Sequence, residues 1–348
     1  MADRTGTPAA RGLNEFVSIK ERMSSPSDMP NSTSGGWSPE LPLTVPAPLL
    51  WPPQPTKLLK YLFGFPGLFF PWISLYAAIA VGLWGLLQWS GSDVAHLSVG
   101  WIALLLACNE VITVIFYGVW HYRLYRSRAQ GLQYKYNPNW PKEQSDRFLF
   151  GRPLASNIFW SLVSGVPVWT AYLVLTLWAQ ATGIVPVTSW SASPVYCALL
   201  MFLLPFFHAV HFYVAHRAIH WPPLYNSVHY LHHANLNPGP WSGIAMHPVE
   251  HLFYFSGALL LWIIPSTPIH VIYFITLVGL APAEGHCGFG KVVVGQSSYP
   301  TDNYYHYLHH KFVRVNFGDS LLIPLDRLFG TFHDGIRRVP GNNKQGAK

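Results

Sequence analysis

Four apolar runs, roughly Gly67–Trp89, Ser98–Trp120, Ile158–Gln180 and Val195–Ala215, are each long enough to cross a bilayer as a helix, since the hydrocarbon core is about 30 Å thick and needs about 20 helical residues. A chain with four such runs has few other ways to fold. In lipid every backbone N–H and C=O must be satisfied within the protein, so the runs are helices packed on one another. Only 11% of the 348 residues are charged, against about one quarter in an ordinary soluble domain. Trp72, Trp84, Trp89, Trp101, Trp120, Trp160 and Trp178 fall mostly near the ends of the runs, where amphipathic rings favour the membrane interface. A further apolar region, Leu252–Ile264, breaks at Pro265 and Pro268 and resumes over Ile269–Ala281. Each arm is short for a full crossing, which predicts a hairpin dipping into the membrane. The expected fold class is all-α: an integral membrane helical bundle of about four spanning helices plus a short membrane hairpin, with a histidine-rich helical cap.

Orientation follows from the basic residues. The segment between the second and third runs carries Arg123, Arg126, Arg128, Lys135, Lys142, Arg147 and Arg152 against Glu143 and Asp146, which places it in the cytosol. By alternation the N-terminal tail and everything after the fourth run are cytosolic too, and the hairpin returns the chain to the face it left. The net charge of +7 reads as membrane orientation, because the basic residues form no continuous patch for nucleic acid. The expected organisation is a flexible tail over 1–60, a membrane region over 61–201 with a basic loop at 121–152, a histidine-rich domain over 202–334 and a C-terminal tail over 335–348. The Asn31-Ser32-Thr33 sequon lies in a tail facing away from any glycosylating lumen. Cys108, Cys197 and Cys287 are an odd, widely spaced set, which suits neither a disulfide framework nor a cysteine zinc site.

Histidine is the residue that calls for a function. Fourteen of the 17 histidines lie between His208 and His310. At 17 in 348 residues, background histidines are too sparse to account for two H-x-x-H-H matches. His216 and His220 are four apart, and His229, His232 and His233 are related by three and four, as are His306, His309 and His310. On helices these spacings put side chains on a shared face, so each cluster is expected to aim its rings at one point. Neutral imidazole ligates iron, zinc, copper or nickel. Eight rings are too many for one tetrahedral or octahedral ion and suit a pair, with His286 as a ninth candidate. His247 and His251 are further candidates, and for His208 and His211, in the last turns of the fourth run, structural roles compete with ligation. His96, His121, His270 and His333 read as structural or solvated. The nearby acids Glu250, Glu284, Asp302, Asp319 and Asp326 are few and form no Glu-x-x-His pair, which argues against a carboxylate-bridged soluble di-iron bundle. Glu284 and Asp302 are the best placed by spacing to hold an imidazole from behind.

The order His216-Arg217-Ala218-Ile219-His220, His229-Tyr230-Leu231-His232-His233, His247-Pro248-Val249-Glu250, His286-Cys287-Gly288 and His306-Tyr307-Leu308-His309-His310 resembles the fatty acid hydroxylase superfamily, which includes sterol desaturases, sterol methyl oxidases and sphingoid-base hydroxylases. The likeness continues through Asn316-Phe317-Gly318 and Asp326-Arg327-Leu328-Phe329-Gly330-Thr331. It implies a non-haem di-iron oxygenase of the endoplasmic reticulum that hydroxylates or desaturates an apolar substrate such as a sterol, terpenoid or acyl chain. It implies iron ligation by His216, His220, His229, His232, His233, His286, His306, His309 and His310. No His-Pro-Gly-Gly segment is present, so electrons are expected from a separate carrier such as cytochrome b5 and its reductase. The competing expectation is a membrane zinc or iron transporter, because H-x-x-x-H pairs on membrane helices also make transient metal sites.

Overall fold

The computed structural model describes residues 36–44, 52, 54–87, 91–301, 303–319 and 323–336. The sequon, Trp89, Asp302 and residues 337–348 lie outside the described residues. The protein is a multi-pass membrane bundle. Helix α1 (Pro55–Phe63) precedes α2 (Phe69–Leu87), α3 (Val99–Arg126), α4 (Pro153–Ala181) and α5 (Pro194–Ile219). Next come α6 (Pro248–Phe255), a tighter turn over Ser256–Trp262 and α7 (Pro268–Gly285). A small antiparallel hairpin, β1 (Lys291–Val294) and β2 (Ser297–Pro300), leads to α8 (Tyr304–Phe312). Helices α2, α3, α4, α5 and α7 are long and apolar enough to cross a membrane.

The four spans stand where the apolar runs predicted them, but α3, α4 and α5 outrun those runs. Helical hydrogen bonding continues past the hydrocarbon stretch into polar interfacial residues, which is how α5 comes to carry His216. The hairpin is deeper than expected. Its second arm does not stop at Ala281; it continues through Pro282 to Gly285 and makes an 18-residue helix. The tip reaches the loop joining α4 to α5, where the Thr188 N–H donates to the Ser266 carbonyl at 3.2 Å and the Gln180 amide donates to Ser266 Oγ at 2.8 Å. Part of the segment expected to be a flexible tail is folded as well. The Trp37 N–H donates to the Lys135 carbonyl at 2.8 Å, and its ring packs on Tyr134 and Tyr136.

Helix α7 is the most enclosed of the spans, packed by α2, α3, α4 and α5. With lipid as apolar as the side chains, such contacts depend on close packing and a few interhelical hydrogen bonds. Both are present. The Asn109 amide donates to Thr170 Oγ1 at 2.9 Å, the Tyr117 hydroxyl to the Gly279 carbonyl at 2.8 Å and the Trp262 indole to Thr176 Oγ1 at 3.0 Å. Gly279 is obligatory by space: a Cβ there would lie 2.5 Å from the ring of Trp169, itself fully buried. The β-hairpin, not foreseen from the sequence, turns through Gly295 at φ 61°, and its strands are tied to the basic loop by Gln130, which bonds Lys291 and Val293.

Gly279→Ala should therefore lower the thermal unfolding midpoint in detergent, by the equivalent of about 1–3 kcal/mol for an overpacked core. Gly82→Ala, where a Cβ meets nothing within 4 Å, should leave the midpoint unchanged. Equal midpoints for the two variants would contradict the packing described for α7.

Candidate metal centre

The C-terminal end of α5 carries His216, and His220 caps it. Pro222 and Pro223 cannot continue the helix with an N–H donor, so the chain turns and re-forms helical turns over Tyr225–His229 and Tyr230–His233. His286 caps α7, and α8 carries His306, His309 and His310. These rings make two groups: His216, His220, His229, His233 and His309 in one, His232, His286, His306 and His310 in the other, with the ligand atoms of each group within 4.8 Å of one another. All nine histidines singled out from the sequence are thus brought together. The expectation that each cluster aims at one point is corrected. Adjacent residues on a helix point about 100° apart, so each H-x-x-H-H cluster divides: His229 and His233 join the first group and His232 the second, while His306 and His310 join the second and His309 the first.

Nitrogen positions show what the groups can hold. His216 Nδ1–H donates to the Phe317 carbonyl at 2.6 Å, His309 Nδ1–H to the Val315 carbonyl at 2.7 Å and His229 Nδ1–H to Glu250 Oε1 at 2.7 Å. A neutral ring that spends its proton at Nδ1 presents a bare lone pair at Nε2. His220 Nε2 faces those three lone pairs at 3.3 Å from His216, 3.1 Å from His309 and 3.0 Å from His229. It can donate to one of them at most. In the second group His286 Nε2 lies 3.3 Å from His232 Nε2 and 3.0 Å from His306 Nε2, and both nitrogens of His310 are buried without a hydrogen-bond partner. A metal ion about 2.1 Å from each nitrogen would set neighbouring nitrogens about 3.0–3.4 Å apart in octahedral or tetrahedral arrangements. The residues therefore fit two transition-metal ions, one in each group.

Burial, reinforced by the neighbouring rings, holds His229, His232, His233, His306 and His310 well below the usual imidazole range, and burial first of all does the same for His309. Burial pushes His286 down to about 4, against the pull of the Pro282 carbonyl. Neutral rings are the form that binds metal. Burial also pushes the Glu250 carboxyl up.

The other candidates are placed differently. His247 caps α6, its Nδ1 accepting from the Val249 N–H at 3.2 Å. His251 is buried between Ser164 Oγ at 3.0 Å and the Ile244 carbonyl at 3.0 Å, and His211 Nε2 pairs with Ser256 Oγ at 2.9 Å. None of the three belongs to either group. Glu284 lines the adjoining cavity, and Asp302 is outside the described residues. The acid that holds a ring of the groups is Glu250, ranked below them by spacing. Its signal was available in His247-Pro248-Val249-Glu250, a lone carboxylate opening an apolar helix. Asp326 is a second acid that the sequence named but spacing ranked below Glu284 and Asp302. Fully buried, it accepts from the Phe317 N–H at 3.1 Å, the Gly318 N–H at 3.0 Å, the Tyr305 hydroxyl at 2.8 Å and Thr331 Oγ1 at 2.6 Å, and so fixes the loop whose Phe317 carbonyl orients His216.

A cavity of about 420 Å³ reaches both groups, touching His216 and His229 of the first and His232, His286 and His306 of the second. Its walls include Leu68, Ile73, Phe212, Tyr254 and Leu277. That volume is in the range of sites for small organic ligands.

Two outcomes follow from this geometry. Glu250→Ala strips His229 of its Nδ1 acceptor and should weaken metal retention about 10–100-fold, as lost outer contacts do elsewhere, measured by competition with a chelator. The metal-free protein should lose stability in acid. The unfolded rings take up protons near pH 6.5 while the folded ones resist, so stability is complete above about 6.5 and falls as pH drops toward the value of about 4 at His286. Unfolding midpoints that stayed flat from pH 7.5 to 5 would contradict the neutral, buried state of the rings.

Residues 198–331 match the model of the fatty acid hydroxylase family. Sphinganine C4-monooxygenase 1 of Arabidopsis thaliana is 27% identical over 128 residues, covering 34% of this chain and 48% of that protein. Delta(7)-sterol 5(6)-desaturases of Candida glabrata and Saccharomyces cerevisiae are 29% and 28% identical, over 36% and 38% of this chain and 34% and 35% of theirs. The chain thus spans between a third and a half of the length of these curated relatives. No solved structure matches it. The match encloses all nine converging histidines together with Glu250 and Asp326, so the likeness to the fatty acid hydroxylase family falls on the segment that builds the metal centre.

Proposed function

We propose that the protein is a membrane-bound non-haem di-iron oxygenase that hydroxylates or desaturates an apolar, lipid-like substrate with dioxygen and externally supplied electrons. The observation that carries this reading is the convergence of nine imidazoles into two adjacent groups at the end of an apolar cavity. His216, His220, His229, His233 and His309 would hold one iron and His232, His286, His306 and His310 the other. Iron held there would supply the reduction of dioxygen and the cleavage of an unactivated C–H bond.

The rest is the work of this chain. The Phe317 and Val315 carbonyls and Glu250 keep the Nδ1 protons of His216, His309 and His229 and turn Nε2 inward. Apolar walls take up the substrate by burial of its hydrocarbon surface and keep water from the reacting carbon. Return of oxygen to that carbon gives an alcohol; loss of a second hydrogen from its neighbour gives an alkene. One ligand set serves both outcomes, and the pose in the cavity selects between them. Sphinganine and sterol relatives support a substrate of the sphingoid, sterol or acyl type. The basic loop after α3 supports a cytosolic position for the histidine groups, at the endoplasmic reticulum membrane, with electrons delivered by a separate carrier such as cytochrome b5. A transporter would need sites loose enough to release ions, whereas rings this buried and this closely spaced favour retention.

Purified protein should carry about two irons per chain without haem absorbance, and His309→Ala should lose most of the iron of the first group. In a sterol-producing host, lipid extracts analysed by mass spectrometry should show a product that gains one oxygen or loses two hydrogens with the intact protein, and at least about 100-fold less of it with His309→Ala. Metal flux into vesicles that depended on His309 would replace this reading with a conduit.

A further inference from the structure

His208 takes no part in either metal group, yet it lines the same cavity. It stands on the face of α5 that also presents Phe212 and His216, at steps of four residues. Phe212 stacks on the His216 ring, with centroids 4.8 Å apart. His208 is therefore eight residues from His216, the metal-facing ring of the same helix, and no more than about 11 Å separates their ring centroids, since both rings lie against Phe212. Around it the rings of Phe212, Tyr254 and Phe274 form an aromatic surround, their centroids 6.1, 6.1 and 6.2 Å from its own.

Within that apolar surround His208 makes no hydrogen bond to any described residue, and its Nδ1 is sealed from solvent without a partner. Its neighbour His211 is held by Ser256 Oγ. An ionisable side chain inside a membrane span is costly and marks function where it persists. A buried ring nitrogen with no partner, on a side chain that lines a cavity, is costlier than the phenyl ring that would fill the same space. The imbalance disappears if the occupant of the cavity carries the missing partner. A neutral imidazole offers one donor and one acceptor, and a hydroxyl group can pair with either.

We propose that His208 reads a hydroxyl group of the substrate, so that the cavity selects a hydroxyl-bearing lipid and sets which carbon is presented to the metal groups. His208 is on this view a specificity-determining residue, acting on the substrate and not on the metals. The inference rests on the oxygenase reading for the carbon attacked; recognition of the hydroxyl is a binding property and is tested as one.

The test uses the full chain in detergent with two matched probe pairs, cholesterol against its methyl ether and 1-octadecanol against its methyl ether, and reads lipid retained per protein by mass spectrometry. The intact protein should prefer the free alcohol of at least one pair by about tenfold, the worth of a hydrogen bond that leaves no group unpaired. His208→Phe, which suits the aromatic surround, should bring the preference to about one while iron content stays unchanged. His208→Asn, whose amide restores a donor and an acceptor near the Nδ1 position, should recover part of it. Equal binding of alcohol and ether by the intact protein would overturn the proposal, as would a preference that survives in His208→Phe. A preference lost instead in Tyr76→Phe, a lining residue whose hydroxyl is also buried without a partner, would move the role to that residue and overturn it for His208. Iron content is read in the same samples, so loss of the oxygenase reading would show there whatever the probes do.

Discussion

Lone pairs that face one another across about 3 Å are the interaction on which the rest of the molecule depends. With Nδ1 protons spent on Phe317, Val315 and Glu250, the inward nitrogens of His216, His309 and His229 repel His220 and each other. Protonation, the usual relief, is opposed because burial lowers the pKa values of His220, His229, His233 and His309. Only a cation turns these contacts attractive. The fold must therefore supply enough stability elsewhere to hold nine such rings in place, and the tightly packed spans and the Asp326 loop are where it does so.

The return of the chain through α6 and α7 explains why the rings can meet at all. The two H-x-x-H-H clusters are separated by the whole of α6, α7 and the β-hairpin, and they meet because α6 and α7 carry the chain out and back. The tip of that excursion is fixed at the far end by Gln180 and Thr188, and its flank by Trp262 on Thr176. A hairpin anchored at that depth has a set length, which places His247 at one end of it and His286 at the other. The β-hairpin then folds against the basic loop through Gln130 and leads the chain into α8, so that His309 crosses to the group opposite its neighbours.

Much of this was legible in the amino-acid order, for reasons that can be named. Apolar runs report helices in lipid directly, because nothing else satisfies the backbone there. Clustered histidines report convergence, because spacings of three and four are nearest neighbours on a helix. What the order did not show is how the rings divide between two groups. Division depends on the roughly 100° between adjacent residues and on which helix end lies opposite, a tertiary fact. Glu250 was undervalued for a similar reason: it lies 21 residues from His229, and only the return of the chain through α6 brings them together. Residues 291–300 pair as a hairpin around Gly295, but the alternation there is too short to stand out from an apolar chain.

Pro282 shows how the two parts of the cavity come to be built by one residue. Without an N–H, a proline inside a helix leaves the carbonyl four residues earlier unpaired; in α7 that carbonyl belongs to Val278. Tyr254 fills the vacancy, its hydroxyl donating to the Val278 carbonyl at 2.9 Å, and the same tyrosine ring stands edge-on to His208. Pro282's own carbonyl accepts the Nδ1–H of His286 at 3.1 Å, which turns His286 Nε2 toward the second metal group. The break in one ladder of hydrogen bonds is thus used twice, once to seat a wall of the cavity beside His208 and once to aim a ligand, and the two are held in a common frame.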